Sequence, residues 1–329
     1  MPLDTRLTRL LGIAYPIVQA GMSWASSCAA LPAAVSNAGG LGVIAAGPMR
    51  LADLQRTLGE VRALTDRPFA VNMPLYRKGA EEILDLLVAE RVPVIIASQG
   101  SPKAHLARFK DYGATWLHVV AFVEHAVKAS AAGVDGLVVV GSEAGGHPPA
   151  NEVSTLVNVR RVLQEVSIPV VAGGGVADGH GIAALLALGA DAVQLGTRFM
   201  LSEEANLHPA YKQRVLDAGI ADTVLVGRGK LPVRSLRNAF TERVASAERD
   251  GLHLSDPVAY EALLASASLK QASFDGDVNN GKVEAGQSAG LVHQLLPAAA
   301  IMHSLIEELE QALSRLRAMQ SPGEPHHEP

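Results

Sequence analysis

The chain has 329 residues, and its 28 Lys and Arg against 33 Asp and Glu give a formal net charge of −5. This mildly acidic balance argues against nucleic-acid binding, because phosphate backbones are bound by clustered Lys and Arg. Hydrophobic residues make up 48% of the sequence, aromatic residues make up only 4%, and there are 31 glycines. A core of small aliphatic side chains is typical of buried parallel strands covered by helices.

Cysteine usage and the chain ends narrow the class of protein. The single cysteine, Cys28, excludes an intrachain disulfide and a cysteine-based metal site. Residues 1–11 carry charges and lack the apolar stretch of a signal peptide, and no window reaches the ~18 apolar residues of a membrane span. No H-E-x-x-H spacing is present, so no metal is expected. We therefore expect a cytoplasmic protein that acts on a small molecule, without a membrane partner; a homodimer is compatible with the sequence.

Eight short apolar runs predict strands within the first two hundred residues. They begin roughly 20–30 residues apart, and Ala- and Leu-rich stretches of helical period, clearest at 80–91 and 178–188, lie between them. This alternation predicts parallel strands joined by helical crossovers. Eight units in about 200 residues favour an α/β fold of the (β/α)8 TIM barrel type over a doubly wound open sheet. The predicted strands are Pro16–Ala20, Gly42–Ala46, Phe69–Asn72, Pro93–Ser98, Thr115–Val120, Gly136–Val140, Ile168–Gly173 and Asp191–Leu195.

The alternation ends after Phe199, which predicts a change of organisation. We expect a barrel over residues 1–202, then a mostly helical insert or lid after strand eight over 203–284. A helix returning to the barrel is expected over 285–320, and a disordered tail over 321–329. Within the insert, Thr223–Val226 is the one short apolar run, too isolated to count as another barrel unit.

Two glycine-rich loops follow the seventh and eighth runs, at the end of a barrel where active sites are built. Gly173–Gly175 stand directly before a predicted helix, and Gly196–Arg198 follow the eighth run. Unshielded N–H groups beside a helix N-terminus suit a bound phosphate. Tight turns would explain either loop alone, but two such loops at adjacent strands favour a phosphate site. The dinucleotide pattern G-x-G-x-x-G fails at Asp178, and no Walker A motif is present.

A histidine in a third glycine-rich loop is the candidate proton-transfer group. His147 lies in the segment Gly141–Pro149 after the sixth run. A histidine on the catalytic face of a barrel can act as a general base, although capping the loop or contacting a cofactor would also explain it. Glu143 is placed either to orient His147 or to bind backbone amides.

Weaker signals follow the first and third runs. Gly21 permits close approach of a flat ligand, Met22 can pack on an aromatic ring, and the amide of Asn72 can bond a heterocycle edge. For each of them taken alone, a purely structural role such as core packing is the preferred explanation. Gly286–Gly290 matches G-x-S-x-G, but no strand precedes it, so a nucleophilic Ser288 is not expected.

Seven short motifs occur in one order across nearly the whole chain. They are Pro16–Met22, Asn37–Gly42, Pro68–Asn72, Glu143–His147, Gly173–Gly179, Gly196–Phe199 and Ala285–Gln287. In this order the chain resembles the nitronate monooxygenase (2-nitropropane dioxygenase) family of FMN-dependent barrels and its relatives, the FMN-dependent enoyl-acyl-carrier-protein reductases. The sequence departs from some family members at Val119 and Val140, where those members carry a Lys and an acidic residue.

The resemblance implies an FMN cofactor and a set of residues around it. It implies that His147 is the catalytic base for an alkyl nitronate or nitroalkane, with O₂ as the acceptor and a carbonyl compound and nitrite as products. A reductase that uses NAD(P)H on enoyl thioesters or quinones is the alternative, and a phosphate-binding barrel without turnover is a third. The implied FMN-binding residues are Ala20, Gly21, Met22, Asn72, Gly145, Gly173, Gly174, Gly175, Leu195, Gly196 and Thr197.

Overall fold

Eight parallel strands form a barrel at the centre of the structure, a computed structural model that describes residues 3–319. The strands are β1 Ile17–Gln19, β2 Gly42–Ala45, β3 Phe69–Pro74, β4 Val94–Ser98, β5 Thr115–Val120, β6 Gly136–Val140, β7 Val170–Gly173 and β8 Ala192–Leu195. They lie in the order β1-β8-β7-β6-β5-β4-β3-β2. Between β1 and β2 the barrel is closed by hydrogen bonds from Gln19 N–H to Leu41 O and from Leu41 N–H to Ile17 O, at 3.0 and 2.9 Å. The predicted (β/α)8 barrel is confirmed.

Helices cover the outside of the barrel and follow each strand in turn, as right-handed crossovers require. An additional N-terminal helix precedes β1, and a long helix ends the described chain. Among the described residues no helix is both long enough and apolar enough to cross a lipid bilayer. The helices up to β8 are α1 Arg6–Leu11, α2 Ala30–Asn37, α3 Leu51–Leu64, α4 Ala80–Ala89, α5 Leu106–Lys110, α6 Val123–Ala132, α7 Thr155–Glu165 and α8 Gly179–Leu188; after it come α9 Thr197–Met200, α10 Pro209–Leu216, α11 Ala239–Arg249, α12 Leu252–Ser255, α13 Pro257–Ala265, α14 Leu269–Ser273 and α15 Ala298–Ala318.

Small aliphatic side chains from alternate strand positions fill the barrel interior, and α1 covers its lower end. Leu7 and Leu11 of α1 join the cluster of inward-facing residues, so this end is closed by packed side chains. Arg6 fixes α1 in place, because its guanidinium donates to both carboxylate oxygens of Asp191, at 2.8 and 2.7 Å. Asp191 also accepts the N–H of Val170, which ties the helix to the start of β7 and β8. The open end of the barrel is therefore the upper one, where the strands end.

The segment between α10 and α11 contains a feature that the sequence reading did not identify. Thr223–Val226 and Val233–Leu236 form strands β9 and β10, which pair antiparallel. The expectation of a mostly helical insert was therefore incomplete. The turn glycines Gly227 and Gly229, both with positive φ, separate the strands and were the signal for a hairpin.

The final helix starts later than the sequence predicted. A 3-10 helix at Gln287–Leu291 precedes an irregular segment, and α15 begins only at Ala298, after Pro297 at its N-cap. The predicted helix over 285–320 is therefore wrong over its first thirteen positions, because Gly286, Gly290 and Pro297 disfavour a continuous helix. The predicted tail over 321–329 lies outside the described residues.

Helix α15 packs on α8 at very close range. A Cβ added to Gly179 would lie 2.2 Å from the nitrogen of Leu309 and 2.5 Å from the carbonyl oxygen of Leu305. Gly179 N–H also donates to the carboxylate of Glu308 at 2.8 Å. The absence of a side chain at position 179 is what allows the two backbones to approach.

Replacing Gly179 by alanine should lower the free energy of unfolding by about 3 kcal/mol, the upper end of the usual cost of overpacking, because backbone atoms cannot move aside easily. Gly59→Ala on α3 is the matched control, since an added Cβ there meets nothing within 4 Å. That change should instead stabilise by about 0.5–1 kcal/mol through helix propensity. Urea titrations of both variants measure the difference, and equal stabilities would contradict the close packing.

Candidate active site

A single large cavity of about 1440 Å³ opens at the ends of the barrel strands. Its wall is built by the loops that follow all eight strands, together with residues of the insert. A pocket for one small ligand usually measures about 300–1000 Å³. The cavity therefore has room for a cofactor and a second molecule beside it.

Most of the sequence-predicted site residues meet in this cavity. Leu195 is the exception: its side chain is buried in the core and only its carbonyl reaches the loop, where it accepts the N–H of Ala20 at 2.9 Å. No cluster of potential metal ligands occurs within residues 3–319. The predicted residues that line the cavity are Ala20, Gly21, Met22, Asn72, Gly145, His147, Gly173, Gly174, Gly175, Gly196 and Thr197.

The loop after β7 combines a tight turn with a place on the cavity wall. Gly174 and Gly175 have φ of 114° and 75°, a conformation that glycine adopts without strain. A Cβ on Gly174 would also lie 2.6 Å from the hydroxyl oxygen of Thr155. The loop is therefore compatible with both expectations, a tight turn and a binding site for phosphate.

The structure corrects the expected source of positive potential behind this loop. At the start of α8 the N–H of Gly181 donates to the Asp178 carboxylate at 2.8 Å, while Gly179 N–H donates to Glu308. Two carboxylates therefore already occupy the N-terminus of α8. Arg198 is likewise engaged elsewhere, because its buried guanidinium donates to the carbonyl of Gln294 at 2.9 Å. A phosphate held here would depend on the backbone of the two glycine loops.

Two other glycines on the cavity wall, Gly21 and Gly145, also make room for neighbouring protein atoms. A Cβ on Gly21 would lie 2.3 Å from Cβ of Asn72, and one on Gly145 would lie 2.5 Å from the carbonyl carbon of Ala285. Close approach of a flat ligand, the reason expected for a glycine at position 21, is therefore not the whole reason. Because Gly21 and Gly145 have no side chain, Asn72 can lie close to the first and Ala285 close to the second.

His147 is held by a backbone carbonyl of the insert. Its Nδ1 lies 3.0 Å from the carbonyl oxygen of Pro232. Since a carbonyl only accepts, Nδ1 carries the hydrogen, and in the neutral ring the free lone pair is on Nε2. The ring is exposed at the cavity wall. The geometry thus leaves Nε2 available as a base.

Strand β10 also fixes the backbone directly before His147. Gly146 and Arg234 exchange two backbone hydrogen bonds, at 3.2 and 2.7 Å. The buried Arg234 side chain donates to the carbonyl of Ser142 at 2.9 Å and to the hydroxyl of Thr223 at 3.1 Å. Burial lowers the pKa of Arg234, with nearby Glu152 and Glu143 opposing this effect. Strand β10 therefore pairs with the loop after β6 as well as with β9.

Glu143 binds backbone amides, one of the two roles expected from the sequence. Its carboxylate accepts the N–H of Thr155 at 2.8 Å and the hydroxyl of the same residue at 2.8 Å, at the start of α7. The carbonyl of Glu143 accepts the N–H of Gln287 at 2.9 Å. Glu143 therefore anchors the loop that carries His147 without orienting the imidazole ring.

Several cavity residues were not selected from the sequence. Gln194 and Glu284 line the wall, and no local pattern marked either. His118 of β5 lines the cavity although it is only 5% exposed. Burial lowers the pKa of His118 to about 4 against the opposing contact with the Gly100 backbone, so the ring is neutral near pH 7. Cys28 is absent from the wall, and burial raises the pKa of its thiol.

Comparison with known proteins places this site in one family. The sequence profile of that family, described as nitronate monooxygenase, matches residues 4–85 and 76–308. A nitronate monooxygenase of Paraburkholderia phytofirmans is 33% identical over 94% of this chain and 96% of its own. A 5-hydroxy-7a-methyl-1-oxo-octahydro-1H-indene-4-carboxyl-CoA dehydrogenase of Mycobacterium tuberculosis is 34% identical over 93% and 96%.

Solved structures agree with these relatives. FabK from Thermotoga maritima superposes with a TM-score of 0.89 at 39% identity and covers 96% of this chain and 99% of its own. A nitroalkane oxidase from Streptomyces ansochromogenes superposes with a TM-score of 0.80 at 31% identity, covering 94% and 99%.

The buried, neutral His118 should make the fold sensitive to acid. Its pKa is about 4 in the folded chain against an ordinary 6.5, so the unfolded chain takes up this proton first as the pH falls. The free energy of unfolding should decrease between pH 6.5 and 4, with about 3 kcal/mol from this group. Denaturant titrations across this range should show a shallower pH dependence for His118→Gln. The control is the same substitution at the exposed His180 on α8. If the free energy of unfolding depends on pH identically in wild type and His118→Gln, the lowered pKa of His118 is contradicted.

Proposed function

The chain belongs to the nitronate monooxygenase family and is an oxidoreductase, and we propose that it uses FMN to oxidise alkyl nitronates and their parent nitroalkanes with O₂. The observation that carries the proposal is His147, held through Nδ1 by Pro232 at the wall of the cavity that the glycine loops after β7 and β8 also line. A carbonyl compound and nitrite would be the products.

The residues present suit FMN. Gly173–Gly175 and Gly196–Thr197 would hold the phosphate through backbone N–H groups, which is the common arrangement after strands seven and eight of a barrel. The amide of Asn72 donates to the carbonyl of Ile96 at 3.0 Å, which leaves its oxygen to accept from a ring edge. The half-buried Gln194 offers a second amide. Bound FMN would supply the two-electron redox chemistry of the reaction.

The protein's own part is proton transfer and positioning. Nε2 of His147 would take the proton from the carbon that bears the nitro group, and the imidazolium would keep its Nδ1 hydrogen bond to Pro232. The half-buried Val119 and Val140 line the same cavity and give it an apolar wall. An apolar wall lowers the local dielectric, so that charge on His147 responds more strongly to its neighbours.

A second candidate function is redox chemistry on a phosphate-bearing thioester. Four exposed lysines line the cavity, of which Lys230 is paired with Glu261. The other three come from separate elements: Lys78 after β3, Lys128 on α6 and Lys270 on α14. Their charge would suit the phosphates of a coenzyme A arm, an acyl-carrier protein arm or NADPH. The relatives named as a carboxyl-CoA dehydrogenase and as FabK support this alternative.

Anaerobic reduction of the bound flavin separates the two candidates. The purified holoenzyme should lose its flavin absorbance on mixing with an alkyl nitronate and should respond much more slowly to NADH or NADPH. The measurement is stopped-flow absorbance at matched reductant concentrations. Fast bleaching by NADPH with none by any nitronate would replace the proposal with the thioester or quinone reductase.

His147→Ala should retain FMN but lose about 10²–10⁴-fold in the rate of flavin reduction by a neutral nitroalkane, the usual contribution of a general base. A preformed nitronate has already lost the proton, so its rate should fall much less. His180→Ala, at an exposed position, controls for loss of a histidine as such. An unchanged rate with the neutral nitroalkane would refute the role of His147 as base.

A further inference from the structure

Glu284 brings a negative charge to the wall of the cavity. It lies directly before Ala285–Gln287, and its half-buried side chain lines the cavity together with His147 and Lys282. Within the described part of the chain it is the one acidic residue on this wall. None of the motifs that carry the family resemblance includes it.

Strand β10 holds Glu284 and His147 from neighbouring positions. Arg234 pairs with Gly146, directly before His147, and the next residue, Ser235, pairs with Glu284. The hydroxyl of Tyr211 donates to the carbonyl of Glu284 at 2.7 Å and fixes the backbone from the other side. The backbone of β10 at Arg234 and Ser235 therefore holds both segments, the one that carries His147 and the one that carries Glu284.

The carboxylate points toward the histidine loop. Its Oε2 lies 3.3 Å from the position that a Cβ of Gly146 would occupy. A side chain at position 146 would crowd this oxygen, and Gly146 also has a φ of 72°. The glycine next to His147 thus leaves space for the acid.

The charges around Glu284 are few and come from three elements. The imidazole of His147 faces it from the loop after β6, the ammonium of Lys282 from its own segment, and the phenol of Tyr211 from α10. Burial raises the pKa of Glu284, and His147 and Lys282 act against this rise. Burial and the neighbouring Glu284 both raise the pKa of Tyr211, so that this group stays neutral. Lys282, and His147 once it carries a second proton, are thus the positive charges that favour ionised Glu284.

We propose that Glu284 is a positioning residue that stabilises the imidazolium of His147 and favours neutral nitroalkanes over anionic nitronates as substrates. This inference rests on the proposed function. In the step concerned, the C–H bond beside the nitro group breaks and an N–H bond forms at Nε2 of His147. The electron pair of the C–H bond moves onto the nitro group. A carboxylate close to the new imidazolium lowers the energy of that state, and the same charge repels a ligand that arrives as an anion.

Glu284→Gln removes the charge and keeps the shape, so it should change the two substrates in opposite directions. Flavin reduction by a neutral nitroalkane should slow about tenfold, while the KM for a preformed nitronate should fall. Glu284→Asp should recover part of the rate with the neutral substrate. Glu242→Gln, an exposed position on α11, is the matched control. A general structural defect would slow both substrates, and equal losses on both would overturn the proposal.

A second readout does not depend on turnover. In protein carrying ¹³C at the glutamate carboxyl carbons, the Glu284 signal is identified by its loss in Glu284→Gln. Its titration midpoint should move to higher pH in His147→Gln, because the opposing positive charge is gone. An unmoved midpoint would overturn the coupling. If no nitronate reduces the flavin of the wild-type enzyme, it is the proposed function that is refuted, whether or not the midpoint moves.

Discussion

The pairing of strand β10 with the loop after β6 is the contact on which the arrangement of the site depends. Two backbone hydrogen bonds join Gly146 to Arg234, and the carbonyl of Pro232, two residues before Arg234, accepts from His147. The histidine loop alone is rich in glycine and would sample many conformations. Pairing with β10 fixes the backbone conformation of the loop, and the hydrogen bond to Pro232 fixes the tautomer of the His147 ring.

The anchoring of the same loop on its other side comes from the barrel. Glu143 accepts from Thr155 at the start of α7, and its carbonyl accepts from Gln287. Thr197 in turn accepts the N–H of Gly286 at 3.0 Å. The loops after β6 and β8 are thus linked through the segment at 286–287, which lies outside the barrel in sequence.

The electrostatics of the cavity depend on which charged side chains already bind another group of the protein. Acidic side chains accept hydrogen bonds at the start of α8, and the Arg198 guanidinium donates to the carbonyl of Gln294. Exposed lysines lie at the edge, and among residues 3–319 Glu284 is the one acidic residue of the cavity wall. An acidic chain of net charge −5 therefore presents a basic rim to its ligands.

The amino-acid sequence by itself determined the barrel, because each strand and helix is encoded in local runs of apolar residues. It also indicated the glycine loops and His147, since barrel geometry brings residues after successive strands to one end. Only the tertiary structure decided that strand β10 pairs with the histidine loop, and that the Glu284 carboxylate points toward it. It also showed that Gly21 and Gly145 give way to protein atoms. These features depend on contacts between residues far apart in sequence, several through backbone carbonyls and amides, which every residue carries and no side-chain pattern reveals.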